Sequence, residues 1–281
     1  MDWVTQSFRM KKDSQLPAKV SVHPAGNDFF TTMPCLLPSD KERFGVKVVS
    51  RILGRTPSLS SDILLYNSAN GELLALINAD WITSMRTGAV ATLAIKTLRS
   101  SSARKYSFIG LGNTARATLL CLLSSFPDEI FQVVLFRYKD QAEYFIDYFR
   151  TFGNVVFSVV DTMEELVEDA DVLVSCITDA DGLLIGNDAL FKPGILLVPV
   201  HTRGFQNCDL FFDKVFADDT EHVRSFQYFN QFKRFNEIGD VLDGTCRGRE
   251  NDKERILSYN IGLGLHDVFF ASNIYDMITN R

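Results

Sequence analysis

The apolar run Tyr106 to Ile109 passes directly into Gly110-Leu111-Gly112-Asn113-Thr114-Ala115, and a helical pattern, Ala115 to Ser125, follows at once. In a GxGxxA segment so placed, the first glycine permits a tight turn and the second lets the backbone approach a pyrophosphate. The small Ala115 lets helix pack closely on strand. Phosphates would sit at the helix N-terminus, where free N–H groups and the positive end of the dipole meet them. Taken alone, the segment could equally be a tight turn without a ligand. Its strand and helix context favours a dinucleotide.

The surrounding chain repeats that context. Val133 to Phe136, Val155 to Val159, Val172 to Ile177 and Ile195 to Val200 are short, nearly continuous apolar runs, the form of parallel strands covered on both faces. Helical candidates lie between them at Asp140 to Phe149 and Thr162 to Asp169. The alternation predicts an α/β fold with a Rossmann-type doubly wound parallel sheet. Ahead of it, from Lys19 to Asn78, the runs Val46 to Val49, Ile63 to Tyr66 and Leu73 to Ile77 predict an antiparallel sheet with Asn70-Gly71 at a hairpin turn. Ser84 to Leu98 reads as a helix and Ser100 to Ser102 as a linker. A strand, Arg255 to Asn260, and a helix carrying Leu265, Val268, Phe269 and Ile274 close the chain. The expected organisation is a smaller α+β domain over 1–98, a dinucleotide-binding Rossmann domain over 99–260, and a C-terminal helix, 261–281, returning to the first.

Composition narrows the partners. With 46% apolar and 23% charged residues the chain is neither disordered nor fibrous, and its net charge of −6 offers no field to attract a phosphate backbone or an anionic membrane. Neither nucleic acid nor membrane is expected as a partner. No apolar stretch reaches the roughly 18 residues of a membrane helix, and Met1 to Phe8 lacks the pattern of a secretory signal. The five cysteines (Cys35, Cys121, Cys176, Cys208 and Cys246) form no CxxC pair. We therefore expect no disulfide framework and no zinc site, and a cytoplasmic location. Asp209, His222, His266 and Asp267 have no spacing that makes a metal site.

The second strand of the α/β region ends Leu135-Phe136-Arg137-Tyr138-Lys139. An NAD site usually places an acid there for the ribose 2′-hydroxyl, whereas an NADP site removes the acid and supplies a cation. No acid appears before Asp140, so Arg137 and Lys139, with Tyr138 between them, favour NADP(H), NAD(H) remaining possible. The alternative is that both cations are merely solvated. Thr178 and Val200, at the ends of the fourth and fifth strands, complete the cofactor edge with Gly110, Gly112, Asn113, Thr114 and Ala115. Arg86-Thr87-Gly88 stands near the start of its predicted helix, where a guanidinium and exposed N–H groups could converge on an anion. On its own, Arg86 would more often be a structural ion pair.

Several motifs in order make the chain resemble the ornithine cyclodeaminase and mu-crystallin family. They are Gly71-Glu72-Leu73-Leu74-Ala75, Arg86-Thr87-Gly88-Ala89, Gly110 to Arg116, Lys192-Pro193-Gly194, Glu237 to Leu242, Gly248-Arg249, Gly262 and Asp267. The resemblance runs from about Pro17 to the end. It implies a substrate and dimerisation domain joined to a Rossmann domain, a homodimer, and a nicotinamide cofactor that Thr87 and Gly262 also help to hold. It further implies action on amino acids or the corresponding imines and keto acids, with the substrate carboxylate gripped by Lys19, Lys47 and Arg86. Lys19 replaces a usual arginine, exchanging a two-pronged grip for a point charge. Without the resemblance, Lys47 would be expected to face solvent from an edge strand.

Other departures sharpen the expectation. Thr114 stands where the family commonly has Gln, a tolerable change because the phosphate donors are backbone N–H groups. His201 falls where cyclodeaminases of the family use an aspartate on the substrate amine, which argues against ornithine cyclodeamination. A histidine there could protonate an imine nitrogen near neutral pH, although one bonded to local backbone is the plainer alternative. Only 18 residues precede Lys19, fewer than the family's usual N-terminal helix needs. The leading expectation is an NAD(P)-dependent oxidoreductase that reduces a small imine or keto derivative of an amino acid, with Lys47 and His201 as catalytic candidates. The alternatives are a redox-neutral lyase using bound NAD and a non-catalytic NADP(H)-binding protein.

Overall fold

A computed structural model describes residues 1–178, 180–200 and 203–279. The first elements are α1 (Asp2–Arg9), β1 (Val20–Val22), β2 (Phe29–Leu36), β3 (Arg43–Arg51), β4 (Leu59–Asn67), β5 (Leu73–Asn78) and α2 (Asp80–Leu98). Then come β6 (Lys105–Ile109), α3 (Asn113–Ser125), β7 (Phe131–Phe136), α4 (Gln141–Tyr148), β8 (Val155–Val160), α5 (Met163–Val167), β9 (Val172–Ser175) and β10 (Leu196–Pro199). The last are α6 (Cys208–Phe211), β11 (Lys214–Ala217), α7 (Thr220–Val223), β12 (Phe235–Glu237), α8 (Ile238–Leu242), β13 (Ile256–Tyr259) and α9 (Gly264–Thr279).

The chain divides into two compact units, one holding Asp2 to Arg86 together with the segment from Gly262 onward, the other holding Thr87 to Ile261. The division falls inside α2 rather than after Leu98, where the sequence places it. Beyond Arg86 that helix belongs to the second unit because Gly88 lets it press on α3. A Cβ on Gly88 would lie 2.5 Å from the backbone of Ala117 and Thr118.

The first unit is an antiparallel sheet in the order β1-β2-β3-β4-β5. Residues alternate across it: Met33, Cys35, Gly45, Lys47, Ile63 and Leu65 are buried on the face that α9 covers. Two glycines let α9 come close. The Cβ that Gly45 lacks would lie 2.8 Å from the Val268 side chain, and that of Gly264 3.0 Å from the Met33 carbonyl oxygen. The eight residues of α1 pack on α9, with His266 hydrogen-bonded to Ser7 at 2.7 Å and its ring tilted against that of Phe8. β3 is central, not an edge. The Lys47 side chain is therefore enclosed.

The second unit is an eight-stranded parallel sheet in the order β12-β11-β13-β10-β9-β6-β7-β8. The connections reverse between β6 and β9, the switch point at which ligands of such sheets bind. β11 and β12 are absent from the sequence reading, because only three apolar residues follow Lys214 in β11 and β12 is three residues long with Asn236 at its centre. The strand interiors, among them Val172, Leu173, Leu197, Val215 and Leu257, are fully buried.

Candidate active site

The glycine turn lies at the switch point. Gly110 takes a left-handed conformation, φ +78°, and an added Cβ would lie 2.5 Å from the backbone of Cys176 and Ile177 at the end of β9. Gly112 differs: nothing lies within 4 Å of the Cβ it lacks, so its open side could admit a ligand. No side chain caps α3, its first turn carries no acid, and Ala115 is fully buried where helix meets strand. A side-chain-free approach, an uncapped helix start and a tight packing residue together fit a pyrophosphate.

The neighbouring strand end holds more than its sequence discloses. Arg137 follows β7, and its backbone N–H bonds to the Val160 carbonyl, which brings Asp161 alongside. The Arg137 Nε donates to Asp161 Oδ1 at 2.7 Å and Nη1 to Glu143 Oε1 at 2.8 Å. Acids absent from the local sequence thus arrive from β8 and α4. Tyr138 is exposed, and Lys139, at φ +50°, places its ammonium 5.2 Å from the Tyr138 ring centroid. Thr178 is exposed just past β9, and the Val200 N–H bonds to the Ser175 carbonyl. His201 lies outside the described residues.

In the first unit Lys47 and Arg86 meet on one carboxylate, that of Asp267. Lys47 Nζ stands 2.8 Å from Asp267 Oδ2, and Arg86 Nε donates to Oδ1 at 2.8 Å. All three are enclosed, with Lys47 1% and Asp267 0% exposed. Burial pushes the Lys47 ammonium down to about 8, Arg86 adding to the shift and Asp267 opposing it; Lys19, just before β1, repels it as well. Burial alone would raise the Asp267 carboxyl, but Arg86 and then Lys47 outweigh it and hold the group below its usual range. The cluster retains one positive charge more than its carboxylate neutralises.

One expectation changes here. α2 begins at Asp80, so Thr87 and Gly88 sit in the helix interior with their N–H groups committed to the helix, and they offer no free donors to an anion. The helix starts four residues before the sequence places it, and the Asn78 side chain, at the end of β5, accepts from the Asp80 N–H. Gly262, which the resemblance places at the cofactor, lies against Arg86: at φ +93°, a Cβ there would collide with the guanidinium. Nothing local in the sequence marks Asp267 as a counter-ion. Asp209, also without context in the sequence, accepts from the Tyr259 hydroxyl at 2.6 Å, and burial raises its carboxyl to about 6.

The fold is that of a two-unit α/β protein: one unit carries a parallel sheet with a glycine turn at its switch point, the other an antiparallel sheet that buries a lysine and an arginine on one carboxylate. The chain belongs to the ornithine cyclodeaminase/mu-crystallin family, which it matches over residues 1–281. It is 27% identical over 273 residues to the nodulation efficiency protein NfeD of Rhizobium meliloti, covering 93% of this chain and 83% of that one. It is likewise 27% identical over 256 residues to a Δ1-pyrroline-2-carboxylate reductase of Bacillus cereus, covering 84% and 77%. Its fold matches that of the Thermococcus litoralis Δ1-pyrroline-2-carboxylate reductase solved with NADH and L-proline, with a TM-score of 0.87 at 22% identity over 99% of this chain and 93% of that one.

Proposed function

We propose that the chain is a nicotinamide-dependent oxidoreductase that reduces a small imine or keto derivative of an amino acid. The observation that carries this reading is the buried excess of positive charge: Lys47 and Arg86 share the single carboxylate of Asp267. An uncompensated buried charge is costly, and the carboxylate of a small substrate would relieve it. Arg86 and Lys47 would hold that group, with Lys19 adding attraction from outside. The reductase of Bacillus cereus acts on a cyclic imino acid by name, which agrees in substrate chemistry.

The turn at Gly110 to Ala115 would hold the dinucleotide, which supplies the hydride. Among the chain's own groups, an ammonium lowered to about 8 can give a proton to an imine nitrogen more readily than an ordinary lysine can, so Lys47 is assigned both to binding and to proton donation. His201 is proposed as a second donor on sequence grounds alone. The five cysteines are free thiols, which agrees with a cytoplasmic enzyme. We also assign a homodimer to the outer face of the five-stranded sheet. There Pro34, Val46, Leu64 and Leu76 stand in register beside Leu36, Phe44, Tyr66 and Leu73.

Reduced cofactor mixed with cyclic imino acids and α-keto acids plus ammonia tests the reading. Substrate-dependent oxidation of the cofactor is expected, and Arg86→Met should raise KM about tenfold or more, the loss of one charge-assisted hydrogen bond. Cofactor binding with no turnover across the panel would overturn the enzyme assignment. Ammonia release from a diamino acid without net cofactor change would make the chain a lyase instead.

A further inference from the structure

The dinucleotide reading leaves open which form is chosen, and the sequence leans to the 2′-phosphorylated one because Arg137 and Lys139 end β7 with no acid between them. The fold reverses that local balance. Arg137 is held on two sides, Nε by Asp161 and Nη1 by Glu143, at 2.7 and 2.8 Å. Two carboxylates around one guanidinium leave the group at a net negative charge. Lys139 is turned by its left-handed backbone toward the Tyr138 ring, and Asp140 follows it directly.

We infer that Asp161 and Glu143 are specificity residues which, by occupying Arg137, make the end of β7 select the free ribose diol of NADH over the 2′-phosphate of NADPH. The inference rests on the dinucleotide reading of Gly110 to Ala115. A 2′-phosphate, carrying nearly two negative charges, must either displace both carboxylates from Arg137 or stand beside them. A ribose hydroxyl faces no such conflict and can donate to a carboxylate oxygen, as the acid at this strand end does in NAD sites. Ordinarily that acid belongs to the strand that ends there. Here it comes from the next strand and from the helix between, which is why the motif reads as its opposite. All three side chains are largely solvent-exposed. Exposed pairs are individually weak, so the preference should be moderate, about tenfold.

Calorimetric binding of ADP-ribose and 2′-phospho-ADP-ribose tests this without turnover. The unaltered protein should bind ADP-ribose about tenfold more tightly. In Asp161→Asn/Glu143→Gln the ratio should move about tenfold or more toward the phosphorylated ligand, and adding Arg137→Ala should abolish that gain. Because these residues are exposed, the variants should unfold at the temperature of the parent. If both ligands bind but the ratio is unmoved by the double variant, or the gain survives loss of Arg137, the inference is overturned. If neither ligand binds, the dinucleotide reading itself falls.

Discussion

Asp267 does for two cations what neither Lys47 nor Arg86 could do alone: it fixes an ammonium and a guanidinium at 2.8 Å from one buried carboxylate. Each cation taken singly into the interior would shed its charge or force the chain open. The pH dependence follows from Lys47. Its folded value, about 8, lies below its ordinary 10.5, so below pH 8 the folded state bears the cost of a buried ammonium in full. Between about pH 8 and 10.5 the unfolded chain binds more protons than the folded one, and stability rises with pH. Denaturant midpoints should therefore climb over that window in the unaltered protein, and the climb should shrink in Lys47→Met. An equal slope in both would show that Lys47 titrates normally. Substrate binding should run the other way, KM rising as pH passes about 8, because a neutral amine no longer attracts a carboxylate. Lys47→Arg should keep KM flat there.

At the scale of the element, the two glycines of the turn from Gly110 to Ala115 have different duties. Gly110 is needed by the protein itself, since its positive φ and the backbone of Cys176 and Ile177 leave no place for a side chain. Gly112 adopts an ordinary φ of −79° with open space beside it. Gly110→Ala should cost about 2 kcal/mol or more, from left-handed strain and steric overlap, and lower Tm by about 4–8 °C. Gly112→Ala should melt with the parent yet bind cofactor at least tenfold more weakly. Thermal unfolding and calorimetry on the pair separate the duties; a Gly112→Ala variant with full cofactor affinity would remove the turn from the binding site. α2 teaches a related lesson. Its period is readable from Ser84 on, but its first turn sets the exposed Trp81 beside the buried Ile82, so the start shows only in the folded chain, where the Thr83 N–H bonds to the Ala79 carbonyl and the Asp80 N–H to the Asn78 side chain.

At the scale of the whole molecule, the face of the five-stranded sheet opposite α9 carries a row of apolar side chains. Leu76 is 70% exposed, and its row crosses four strands. Surfaces of this kind mark contacts with partners. Light scattering should find a dimer at micromolar concentration, and Leu76→Glu should shift it to monomer without lowering the stability of the monomer; a monomeric parent would withdraw the proposal. Much of the architecture was legible in sequence. The parallel strands before Val200, the glycine turn and the closing helix are set by periodicity and by backbone conformations that only certain residues adopt, and these are local properties. β11 and β12 escaped because short strands with a polar residue carry too little period to read. The site was legible only in part: Lys47 and Arg86 were named, but their meeting on Asp267 was not, nor was the capture of Arg137 by Asp161 and Glu143. A side chain's charge is written in its residue type, whereas its partner depends on which strands and helices fold side by side. The tertiary structure alone therefore decided that an apparent edge lysine is a buried cation and that a cationic strand end is ringed by acids.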